Sequence, residues 1–162
     1  VINEILSRHD YPEPVSALLG EAVVLTAMMA SILKFEGRFV IQTQSDGPVS
    51  MLVCDARADG SLRGYAKLDE EAFAALGDSP TQQDMLGAGH IAFTVDQGAD
   101  MERYQGIVPL EDNLLTAALT YFSGSEQVQT HVKLTAMPLF RPGGDMEWRA
   151  NYDSANCASR WL

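Results

Sequence analysis

Three histidines, two cysteines and two acidic clusters are the side chains with which this sequence could do chemistry. His9, His90 and His131 each lack a second histidine or cysteine at ligand spacing, and His90 and His131 fall in strand-like segments. A general base must sit within hydrogen-bond reach of the proton it takes. A hydrolase would have to assemble one from His131 or His90 and a distant carboxylate, and the sequence places no such partner beside either. Cys54 and Cys157 stand about a hundred residues apart, and neither belongs to a CxxC pair. A structural zinc site within these residues is therefore not expected. Cys54 lies in the apolar run Met51-Leu52-Val53-Cys54, where a buried, inert thiol is the expected state. The clusters Asp69-Glu70-Glu71 and Glu111-Asp112 fall at helix starts, where carboxylates cap free amides and complement the helix dipole. There is no Walker loop, no GxGxxG after a strand, no HExxH and no GxSxG, and Gly87-Ala88-Gly89 reads as a turn. The expectation is a protein that is not an enzyme and holds no metal or cofactor of its own.

Composition narrows the remaining classes. The 162 residues are 46% hydrophobic and 20% charged, enough to bury a core without disulfide or metal staples. Acidic residues outnumber basic ones 22 to 11, for a net charge of -11, which argues against nucleic acid or an anionic membrane as the main partner. No signal peptide is expected at Val1-Ile2-Asn3-Glu4, and the missing initial methionine is read as a sign of a fragment, a trimmed chain or a record of ordered residues only.

The elements that must position any site follow from periodicity. Ala17 to Leu33 is apolar nearly all round but carries Gly20, Glu21, Thr26 and Ser31, so it reads as a buried core helix, not a membrane span. Pro12 and Pro14 mark its entry, its range is 14–34, and Gly37 ends it. Residues 38–45, 49–56 and 62–68 alternate as three strands of an antiparallel meander, with Asp46-Gly47-Pro48 and Ala58-Asp59-Gly60 as turns and Gly64 as a candidate bulge. Residues 70–76 form a short helix, 79–84 a loop, and 90–95 and 101–110 two strands. Asp112 or Asn113 caps a helix over 114–123, and 128–140 is a long strand. The stretch from Asp145 to Leu162 shows little periodicity. The expected fold is α+β, with mainly antiparallel sheets packed around one very apolar helix.

Apolar residues remain that a core does not obviously need. Tyr104-Gln105-Gly106-Ile107-Val108-Pro109-Leu110 is rich in interface-forming types, and Met28, Met29, Met51, Met85 and Met101 could supply adaptable contacts. Tyr104, Ile107, Val108 and Leu110 are the candidate binding surface, with half of them core if they lie in one strand. Gly64 and Gly106 serve backbone geometry.

Several short stretches also carry a family resemblance. Leu19-Gly20-Glu21-Ala22, Leu33-Lys34-Phe35-Glu36-Gly37-Arg38-Phe39 and Asp46-Gly47-Pro48-Val49 occur in order, followed by Leu62-Arg63-Gly64-Tyr65-Ala66, Tyr104-Gln105-Gly106-Ile107-Val108, and Tyr121-Phe122 with Ser125-Glu126-Gln127. Together they span roughly residues 11 to 140, and the chain resembles the redox-regulated holdase chaperones known as heat shock protein 33. The resemblance implies an ATP-independent chaperone of the bacterial cytoplasm that binds unfolded or misfolded client proteins under oxidative or heat stress. It implies an α+β N-terminal domain that forms a homodimer. It also implies a C-terminal module holding zinc through four cysteines, as CxC and CxxC, whose oxidation releases the metal and exposes client-binding surface. Those four cysteines are absent here, and Cys54 and Cys157 do not match their motif. The chain is therefore expected to be the N-terminal part of such a protein, with zinc belonging to the part not present. Residues 1–140 are the expected client-binding and dimerisation domain, and 141–162 a loop and the incomplete start of a linker. From Trp148 onward the resemblance implies a helical linker, which Asn151 to Leu162 does not look like. The alternative readings are a dimerisation scaffold with no client binding of its own, and the hydrolase.

Overall fold

A single long helix lies between two antiparallel sheets in a computed structural model of the chain, which describes residues 1–33, 37–98, 103–125, 132–144, 146–154 and 157–161. The elements run α1 (Ile2–Leu6), α2 (Glu13–Leu33), β1 (Arg38–Ser45), β2 (Val49–Arg57), β3 (Leu62–Leu68), α3 (Glu70–Ala74) and α4 (Gln82–Leu86). There follow β4 (Gly89–Asp96), β5 (Tyr104–Pro109), α5 (Leu114–Ser125), β6 (Val132–Phe140), β7 (Met146–Ser154) and β8 (Cys157–Trp161). The first sheet has the order β3-β2-β1-β4-β5 and the second β6-β7-β8.

α2 is the long apolar helix expected from the sequence. By length and composition it is long and apolar enough to cross a membrane, but its flanks meet β1, β2 and β3 on one side and β6 and β7 on the other. Val15, Leu19, Val24, Leu25 and Met29 are fully buried. A helix apolar all round needs cover on several faces, and the two sheets supply it. Approach is closest at two glycines. A Cβ on Gly20 would stand 2.8 Å from the Cβ of Ala136 on β6, and one on Gly64 would stand 2.7 Å from Val23 Cγ2. Gly64 is thus a point of close packing and not a bulge: β3 keeps its register through Cys54↔Gly64, and the register shift lies between Val49 and Met51 on β2.

Two further readings change, and one element lies where no element is expected. Residues 2–6 form a helix that buries Ile2, Ile5 and Leu6. Residues 79–84, expected as a loop, enter α4 through a capping box, in which Thr81 and Asp84 satisfy each other's backbone amides. The stretch 141–162, expected as a loop and linker start, contains β7 and β8. β7 pairs with β6 in unbroken register from Phe140↔Met146 to Val132↔Ser154. Its Trp148, Ala150 and Tyr152 are buried in the same core as α1 and α2, and Trp148 N–H donates to Asn3 Oδ1 at 3.1 Å. The strand forms because apolar side chains alternate with Glu147, Arg149 and Asn151, a period of two that buries one face only. Asn113 does cap α5, accepting from Thr116 N–H at 2.9 Å.

Candidate functional site

The five-stranded sheet has one covered and one uncovered face. In each strand alternate residues point to opposite sides. Phe39, Ile41 and Thr43 of β1, Leu52 and Cys54 of β2, and Ile91 and Phe93 of β4 are buried on the α2 side. Their neighbours point away. Register places Tyr65, Val53, Gln42, Ala92 and Ile107 side by side across all five strands. Tyr65 is 43% exposed and Ile107 60%, with Gln42 exposed and Val53 and Ala92 half-buried. No helix or strand among the described residues lies over this row. Val40 and Thr94 continue the uncharged centre on one side, and Met51 and Gln44 on the other.

Charge is confined to the margins of that face. At one end Arg38 Nη2 donates to Asp55 Oδ2 at 2.7 Å, and the Asp55 residue is only 4% exposed. Arg63 lies across from Asp55 on β3. At the other end stand Lys67 and His90, both exposed. In a chain of net charge -11, an uncharged five-strand row is a local depletion of the kind found at the centres of protein interfaces.

The two sheet edges differ. Tyr11 closes the β3 edge: its hydroxyl donates to Ala66 O at 2.7 Å and accepts from Ala66 N–H at 3.1 Å, as a strand partner would. His9 packs its ring between Tyr11 and Tyr65. At the opposite edge, β5 pairs only with β4 among the described residues. Leu110 N–H donates back to Gly89 O at 2.9 Å, so by antiparallel alternation the backbone groups of Gln105 and Ile107 point away from the sheet. No backbone bond among the described residues takes them up. An open strand edge is a template for pairing with another chain.

The four residues expected to form the surface separate accordingly. Ile107 belongs to the uncovered face, and Tyr104 is 53% exposed at the β5 edge. Val108, opposite Ile91, and Leu110 pack against the core. Met51, one of the methionines expected to supply adaptable contacts, joins the face, as do Tyr65, Val53 and Ala92, which the sequence does not single out for it. The alternation within each strand marks them, but which strands become neighbours is not visible in one sequence. Met28, Met29 and Met85 are core residues. Met101, His131, Glu126 and Gln127 lie outside the described residues.

Among the described residues the reactive groups are not assembled into a centre. His90 is exposed on β4, and no hydrogen bond among the described residues ties it to a carboxylate. Cys54 is fully buried, and burial pushes its thiol up to about 12. A thiol held protonated is a poor nucleophile and a poor metal ligand. Among the described residues no group of three histidines, cysteines or carboxylates could hold a metal. The described residues therefore do not fit the zinc that the resemblance implies for an intact protein.

The family model for Hsp33 protein matches residues 1–141. The chain belongs to the Hsp33 family. It is 48% identical over 153 residues to the 33 kDa chaperonin of Caulobacter vibrioides, covering 92% of this chain and 50% of that protein. It is 39% identical over 131 residues to the 33 kDa chaperonin of Pseudoalteromonas translucida, covering 80% of this chain and 44% of that protein. This Hsp33-family chain thus spans about half the length of the relatives it matches. Its fold is that of the crystal structure of the 33 kDa chaperonin (heat shock protein 33 homolog) from Thermotoga maritima, with a TM-score of 0.71 at 20% identity over 95% of this chain and 52% of that one.

Proposed function

We propose that this chain is the client-binding part of an ATP-independent holdase chaperone, and that the uncovered face of the five-stranded sheet is the capturing surface. The observation that carries this reading is the row Tyr65–Val53–Gln42–Ala92–Ile107, uncharged and uncovered across five strands. An extended segment of an unfolding protein presents apolar side chains that such a surface removes from water. Binding there needs no nucleotide and no catalytic group, which agrees with the scattered reactive residues and with a protein that is not an enzyme. The chaperonin names of the relatives support the same activity, and a cytoplasmic location goes with it. In this reading, redox control and zinc belong to the half of the relatives that the chain does not span.

The open β5 edge favours a second feature, a homodimer joined through β5. Two antiparallel copies pairing along Gln105 and Ile107 would satisfy their free backbone groups and make one continuous sheet. If that pairing were the whole function, the chain would be a scaffold with no capture of its own. Dilution of a chemically unfolded client into buffer with the chain, followed by light scattering, separates the two. Suppression near equimolar ratio supports the holdase, whereas a folded dimer without suppression supports the scaffold.

A further inference from the structure

Among the described side chains of α5, the large apolar ones that are buried, Leu114 and Tyr121, stand seven residues apart. The buried stripe of the helix is Leu114, Ala117, Ala118 and Tyr121, the i, i+3, i+4, i+7 positions of an amphipathic helix. The two central residues are alanines and bury little area, so they contribute little to holding the helix down. Towards the C-terminal end, Tyr121 stacks on Phe93 of β4, with ring centroids 4.6 Å apart. At the N-terminal end the buried Leu114 side chain is joined by a polar tie. Leu114 N–H donates to Gln82 Oε1 at 3.3 Å, while Gln82 Nε2 donates to Glu21 Oε2 on α2. The Gln82 carboxamide thus uses its acceptor on α5 and its donor on the core helix. Beside this junction is an open cleft of about 330 Å³, lined in part by Glu21, Gln82, Asn113 and Leu115, so the start of α5 borders solvent on this side. Burial raises the Glu21 carboxyl above its ordinary value, outweighing the lowering by the hydrogen bond from Gln82.

We propose that α5 is an opening flap, held shut at its N-terminal end by the Gln82 carboxamide, and that its release enlarges the apolar surface beside β5. When α5 lifts, Leu114, Tyr121 and Phe93 become accessible on the inner side of the β4–β5 pair, whose outer side carries Ala92 and Ile107. Elements with few apolar anchors open locally at a lower free energy than the whole fold. A client that contacts only the opened form draws the equilibrium towards it. The opening is independent of client binding; its consequence for capture rests on the reading of the sheet proposed above.

Hydrogen exchange on the full 162-residue chain tests the flap. Gln82→Ala removes the tie, and Gln83→Ala, at an exposed neighbour on α4, is the control. The expected result is exchange about tenfold faster for the amides of 117–121 in Gln82→Ala, the effect of losing one net hydrogen bond. Amides of β1 and β2 should keep their rates, as should every amide in Gln83→Ala. Glu21→Gln retains an oxygen that can accept from Gln82 and should leave α5 protected. Should Gln82→Ala not fold, Gln82→Met fills the same space without the amide and carries the comparison. Wild-type rates in α5, or an equal rise in α5, β1 and β2, would overturn the flap. Failure of the wild-type chain to suppress client aggregation would instead strike the client-binding reading and leave the exchange result standing.

Discussion

Gly106 faces the Cε2 edge of the Tyr121 ring: a Cβ built on the glycine would stand 3.0 Å from both Cδ2 and Cζ and closer still to Cε2. The tyrosine in turn stacks on Phe93 at an interplanar angle of 26°. The missing side chain on β5 is what lets α5 dock. Gly106→Ala forces the ring or the strand to move and is expected to destabilise the fold by about 1–3 kcal/mol, the usual range for overpacking. Thermal unfolding of Gly106→Ala, Tyr121→Leu and the double variant checks the contact. A double variant less destabilised than the two singles summed shows that they share it.

The Cys54 thiol is expected to be inert in the folded chain. With its pKa pushed up to about 12 by burial, almost no thiolate exists at pH 8. Iodoacetamide should leave Cys54 unmodified in native protein and label it fully in denaturant, as read by intact mass and peptide mapping. Rapid native labelling at Cys54 would show a core looser than the one described.

Glu21 makes stability depend on pH in a definite direction. Burial raises its carboxyl above the ordinary 4.5, outweighing the lowering by the Gln82 hydrogen bond. The folded state therefore holds this proton more tightly than the unfolded chain does. The associated stability is fully present below the unfolded value and is lost as pH rises through the raised folded value. Glu21→Gln should flatten the stability profile in the window starting at the ordinary carboxylate value and extending upward, and should make the chain relatively more stable at neutral pH. Urea unfolding of both proteins at several pH values reads this directly, and a steeper or unchanged profile in the variant would contradict it.

Much of this fold is legible in the residues, for reasons that differ by element. α2 shows itself because the apolar run Ala17 to Leu33, with Glu21 and Thr26 inside it, can be stable in water only as a covered core helix. β1 to β3 show themselves through alternation and turn residues. α4 was hidden because five residues carry no measurable periodicity, and its box closes with Asp84 where Glu or Gln is the commoner partner. β7 is hard to see because the alternation of Trp148, Ala150 and Tyr152 with polar residues is confined to a few residues of the stretch 145–162, which as a whole shows little periodicity. The uncovered sheet face is half visible. Ile107 stands out by type, but its neighbours Ala92 and Val53 become neighbours only through strand order, which a lone sequence does not encode.

Tyr11 is expected to protect the β3 edge. Tyr11→Phe keeps the ring and removes both hydrogen bonds to Ala66, a loss of about 1–2 kcal/mol for a pair of part-buried bonds. Chemical denaturation measures that loss. Sedimentation velocity should also show a greater tendency to associate, because the freed edge can pair with another chain. Unchanged stability and association would mean that water serves Ala66 as well as the phenol does.

Capture of a client by the uncovered sheet face is tested most directly by light scattering from a chemically unfolded protein diluted into buffer with the chain, without zinc or oxidant. Wild type is compared with Val53→Asp and Ile107→Glu, which place charge in the centre and at the edge of the row. The result expected is suppression by wild type near equimolar ratio and loss of most of it in both variants, with circular dichroism and thermal unfolding showing that the variants remain folded. Equal suppression by folded Val53→Asp, or none by folded wild type, would contradict the assignment of client binding to this face.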